Sequence, residues 1–99
     1  MAYTVILEEQ ARNEIAEAAD WIAQCSPQRA LLWHFEIEEA AFSLEESPFR
    51  CPLAPENELF PEEIRQLIFQ PYRILFTVRK TTVHILRVWH SRRDWAQPD

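Results

Sequence analysis

A chain of 99 residues without a single glycine has few cheap ways to turn. Glycine enters left-handed backbone conformations at no steric cost, so tight hairpins and phosphate-cradling loops usually depend on it. Glycine-rich nucleotide loops are therefore excluded. The stretch Arg79-Lys80-Thr81-Thr82 separates two apolar runs but holds neither glycine nor asparagine, so the sequence leaves its hairpin geometry open. Proline marks the other breaks. Residues 47–63 contain four prolines and no periodicity, and read as a loop over the surface.

Between the breaks the pattern is regular. Residues 3–7 (YTVIL) are short, β-branched and apolar, which predicts a strand. Residues 8–24 change to Ala, Glu and Gln, and Ala11, Ile15, Ala18 or Ala19 and Ile22 recur at helical spacing. Ser26 suits a cap and Pro27 a first helical position, which starts a second helix that Pro48 stops. In that helix Leu31, Phe35 and Phe42 fall near one side, and Ala30, Trp33, Ile37, Ala40 and Leu44 widen the stripe. Residues 64–69, 72–78 and 82–90 read as three strands; in the last, either Leu86 and Val88 or Ile85, Arg87 and Trp89 face the core. The expected fold is α+β in the order β-α-α-β-β-β. It has one small, mainly antiparallel sheet, an N-terminal helical hairpin on one face, and a single domain over residues 1–99. Such a sheet leaves its other face open.

Composition narrows the class. No apolar run is long enough to span a bilayer, and the N-terminus turns acidic at once, unlike an export signal, so a cytoplasmic protein is expected. Cys25 and Cys51 fit no metal pattern and read as free thiols, and His34, His84 and His90 are scattered; neither metal nor cofactor is expected. The net charge of −6 hides an asymmetry: residues 1–64 carry three basic and fourteen acidic side chains, and residues 65–99 carry seven and two. That distribution suggests a face built to meet an anion, or two halves that neutralise each other within one fold.

The basic residues cluster around the last strand. ILRVWHSRRDW holds Arg87, His90, Arg92 and Arg93 with Trp89 and Trp95. With Arg65 and Arg73 both pointing away from the helices, they would join Arg87 or the Arg92, Arg93 pair in one patch on the open face. Arginine binds phosphate bidentately, histidine exchanges a proton near neutral pH, and Tyr72, Trp89 and Trp95 can stack on an unpaired base. Such a set suffices for metal-free RNA cleavage, with Arg73 and His90 solvent-facing. The plainer alternative is structural: Arg87 stacked on Trp89, and His90 a hydrogen-bonded strand end.

YRILF, with its aromatic–Arg–aliphatic strand start, and ILRVWHSRRD, ending in His and Arg, resemble the RelE/ParE superfamily of toxins from type II toxin–antitoxin systems. The resemblance covers nearly the whole chain. It implies a bacterial or archaeal cytoplasmic toxin, neutralised by a cognate antitoxin protein. RelE-like members cleave mRNA on the ribosome; ParE-like members poison DNA gyrase without nuclease chemistry; a degenerate member would only bind antitoxin. Carried over by position, Arg73, His90 and Arg92 or Arg93 match catalytic places, Arg65 a substrate-binding one, and Trp95 stands where RNA-cleaving members often have tyrosine. The leading expectation is ribosome-dependent mRNA cleavage, with gyrase inhibition as the alternative.

Overall fold

The computed structural model describes residues 2–91. Four strands and two helices appear in the expected order: β1 (Thr4–Leu7), α1 (Glu9–Ala23), α2 (Pro27–Phe42), β2 (Arg65–Phe69), β3 (Tyr72–Arg79) and β4 (Thr82–His90). The sheet runs β1-β4-β3-β2, with β1 parallel to β4 and the other pairs antiparallel. Both helices pack on one face, where Ala11, Ile15, Ile37, Ala41 and Leu44 meet Ile74, Phe76, Val83, Ile85 and Val88. Burying a side chain the size of Ile37 or Phe76 contributes about 1.5–3 kcal/mol, which makes this layer the main driving force.

Local rules set the helix starts. The Ser26 hydroxyl accepts the Arg29 amide, and Pro27 occupies the first helical position. The α2 stripe, however, is rotated from the expected one. Ala30, Ile37 and Ala41 are buried, whereas Leu31 is 73% and Phe35 62% exposed. Small residues win the buried side because they let α2 approach α1 and the sheet closely, and the bulky residues are displaced outward.

Neither expected alternation of β4 is right. A bulge places Ile85 opposite Phe76 and Arg87 opposite Leu75, with Leu86 the extra residue between them. Ile85 and Val88 therefore both face the helices despite their odd spacing, while Arg87 and Trp89 face the other way. The glycine-free turn is solved by Lys80, which takes a left-handed φ of 57°; Ser47 does the same at 49° before the 3-10 turn Pro48–Arg50.

The second face of the sheet is not open. Residues 51–64 fold back over it through a short 3-10 helix, Pro55–Leu59, and a bridge between Leu53 and Arg65. Ala54 and Ile64 are buried against Leu75 and Trp89, with Phe60 and Leu86 packed alongside. A loop without helical or strand periodicity nevertheless carries enough apolar side chains to cover half a sheet, and periodicity alone does not reveal that.

Candidate functional site

The strand register decides which candidate side chains can act together, because directly paired residues share a sheet face. Arg73 pairs with Trp89, and Arg87 with Leu75, so all four lie on the loop-covered face. Arg65 pairs with Phe76, and His90 with Tyr72, which puts both on the helix side. The single basic patch expected from the sequence is thus divided between two faces. Arg92, Arg93 and Trp95 lie outside the described residues.

On the loop-covered face the arginines meet carboxylates. Arg73 is 7% exposed and Glu56 4%, which overturns the expectation of a solvent-facing Arg73. The pair is bidentate, Nη1 to Oε1 at 3.0 Å and Nη2 to Oε2 at 2.7 Å, and Nη1 also donates to Gln66 Oε1 at 3.1 Å. Arg87 donates through Nη2 and Nε to Glu14 Oε2 at 2.7 and 3.1 Å. The same carboxylate accepts the Trp89 indole N–H at 2.8 Å and the Val88 amide at 2.9 Å. β1 is too short to cover this stretch of β4, and Glu14 supplies the acceptor that a longer strand would have offered. Both guanidinium groups lie by the Trp89 ring, Arg87 at 4.6 Å and Arg73 at 6.0 Å from its centroid. The result is a continuous series, Glu56, Arg73, Trp89, Arg87, Glu14, tying the covering loop, the sheet and α1 together.

Arg65, Arg79 and His84 are engaged in similar ways. Arg65 donates to the Cys51 carbonyl at 2.6 Å, lies 3.3 Å from Glu63, and stacks on Phe49. Arg79 and Glu62 form an exposed bidentate pair, and its hydrogen bonds hold the Glu62 carboxyl below its ordinary value. His84 contacts Glu8 at 2.7 Å. The acidic half of the chain therefore supplies the partners for the described arginines of the basic half, which favours the second reading of the charge asymmetry.

On the helix side, His90 is exposed and its ring lies edge-on to Tyr72, centroids 5.5 Å apart. Tyr72 in turn packs on Trp33, and burial pushes its hydroxyl pKa up. The cysteines are free; Cys25 is exposed and Cys51 buried, its thiol raised by burial against the opposing charges of Arg50 and Arg65. No group of His, Cys, Asp or Glu suited to a metal ion occurs among the described residues. No described helix is long and apolar enough to cross a membrane.

Sequence reading missed Glu14 and Glu56. Glu14 follows Ala11 at i+3 and precedes Ile15, so it sits within the buried stripe of α1, a legible place for a functional carboxylate. Glu56 has no such signal, since it lies in an aperiodic loop.

This arrangement of hairpin, sheet and paired arginines can be set beside known proteins. The family model described as ParE toxin of type II toxin–antitoxin system, parDE, matches residues 5–95. No curated protein matches in sequence. Among solved structures, a chain of the chromosomal ParDE toxin–antitoxin system from P. aeruginosa is similar at a TM-score of 0.74 and 20% identity, covering 90% of this chain and 96% of that one. A chain of the RelBE2 toxin–antitoxin complex from Mycobacterium tuberculosis is similar at 0.62 and 27% identity, covering 91% and 92%.

Proposed function

The chain belongs to the ParE toxin family of type II toxin–antitoxin systems, and from that premise we propose that it arrests growth as a non-enzymatic inhibitor of DNA gyrase, neutralised by a cognate antitoxin protein. The observation that carries this reading is the pairing of Arg73 with Glu56 and of Arg87 with Glu14. A guanidinium already chelated by a buried carboxylate cannot also clamp a phosphate without first breaking a pair that costs several kcal/mol to break. His90 stands on the other side of the sheet from Arg73 and Arg87, so among the described residues it does not converge with these two arginines. Cleavage of mRNA through Arg73, Arg87 and His90 would require both arginines to be released and His90 to reach the opposite face. A toxin that acts by occupying a protein target needs only a rigid body with a presented surface, which the ion-paired sheet supplies.

The test is tightly induced expression in bacteria with separate pulse labels for DNA and protein synthesis. Gyrase inhibition predicts early loss of DNA synthesis while translation continues. Immediate collapse of translation, with cleaved mRNA, would instead establish the nuclease reading.

A further inference from the structure

At the end of the helical hairpin lies a cavity of about 450 Å³ that the ion-pair series does not use. Trp21 from α1, Arg29 and Trp33 from α2, and Pro71 and Tyr72 at the start of β3 form its walls, with His90 at its margin. Aromatic surface dominates: Trp33 and Tyr72 sit 5.0 Å apart, and Trp21 is 68% exposed. An exposed indole beside a cavity is the kind of surface that anchors a partner's side chain. The Trp33 indole N–H is buried and has no acceptor among the described residues.

Charge indicates what the cavity would accept. Among the described residues no carboxylate lines it. Arg29 forms no ion pair among the described residues, unlike Arg65, Arg73, Arg79 and Arg87, each of which is bonded to a glutamate. It also sits in the first turn of α2, where the helix dipole adds to its attraction for an anion. Apolar surface continues beyond the cavity, since Leu32 is exposed and follows Arg29 at i+3 on the same helix. A free small molecule would not need that extension; a peptide chain would use it.

We propose that this cavity is an anchor site for an acidic segment of a partner protein, which inserts one aromatic or long aliphatic side chain beside Trp21, Trp33 and Tyr72 and sets a carboxylate against Arg29. The site lies on the helix side of the sheet and does not depend on whether gyrase is the toxin's target.

The experiment titrates the ¹⁵N-labelled full chain with the peptide acetyl-Asp-Glu-Phe-Leu-Asp-Glu-amide, following the indole N–H resonances by NMR. A matched peptide with Lys at each acidic position and free phenylacetate are titrated in parallel. The expected result is saturable shifts at Trp21 and Trp33 with the acidic peptide. Binding should be about tenfold weaker for the lysine peptide, for Arg29→Glu and for Trp21→Ala. Both substituted side chains are exposed, and Glu in a first helical turn is favourable, so the variants fold. Equal binding of the acidic and lysine peptides, or no saturable shift at either indole, would overturn the proposal. Phenylacetate binding as tightly as the peptide would overturn it too, by showing a small-molecule site.

Discussion

Replacing Glu56 by Gln keeps the shape of the side chain but leaves the Arg73 guanidinium buried without its counter-charge. Two unit charges about 4 Å apart attract by about 4 kcal/mol at an effective dielectric constant near 20. Removing one member of a buried, hydrogen-bonded pair costs about 3–5 kcal/mol, because the remaining ion is neither solvated nor matched. A domain of this size has roughly 5–15 kcal/mol of total stability, so the variant should lose a large share of it. The expected fall in Tm is at least about 12 °C. Urea titration followed by circular dichroism gives the free energy, and tryptophan fluorescence reports the surroundings of Trp89 beside Arg73. The double variant Glu56→Leu with Arg73→Met should recover much of the loss, leaving a coupling of at least about 2 kcal/mol. A cost below about 0.5 kcal/mol for Glu56→Gln, typical of a surface change, would refute the reasoning and return Arg73 to a solvent-facing role. The same argument makes Arg73→Ala a poor activity test, since it removes fold and function together.

Glu14→Gln should cost about 2–4 kcal/mol by weakening its bonds to Arg87, Trp89 and the Val88 amide; hydrogen exchange at Val88 no slower than at exposed amides in the wild type would contradict it. Lys80→Gly relieves a left-handed φ of 57° in the β3–β4 turn and should raise stability by about 0.5–1 kcal/mol, read from the urea midpoint; a lower midpoint would count against it. Glu62 has a folded pKa depressed from 4.5, chiefly by its hydrogen bond with Arg79. Its contribution is therefore present above pH 4.5 and is lost as the pH falls through the folded value. Tm should decline less steeply below pH 4.5 in Glu62→Gln than in the wild type, and superimposable normalised profiles would remove the pair from the account.

Much of the architecture was legible because it follows from short-range rules. Pro27 and Ser26 announce α2, and β-branched runs announce β1 and the three C-terminal strands. Which side of each element is buried was harder to read. On α2 the bulky Leu31 and Phe35 mislead, because close helix packing selects Ala30 and Ala41 for the buried side. On β4 a bulge at Leu86 shifts the alternation midway, so neither fixed period describes the strand. The candidate site failed to emerge for a related reason. Residue type and spacing show that arginines are concentrated near the C-terminus, but not that Glu14, 73 residues upstream of Arg87, and Glu56 in the covering loop arrive to neutralise them. Long-range pairing of charge is set by tertiary packing, and the aperiodic loop that carries Glu56 offers no pattern to anticipate it.

The central claim, that the paired arginines leave a protein-binding toxin and not a nuclease, is tested most directly with the purified chain in two reconstituted assays. One measures DNA supercoiling by gyrase, and the other measures mRNA cleavage in a ribosome-containing translation mixture. The account predicts dose-dependent loss of supercoiling, reversed by a cognate antitoxin, with the mRNA left intact. Ribosome-dependent mRNA cleavage with supercoiling unaffected would contradict it.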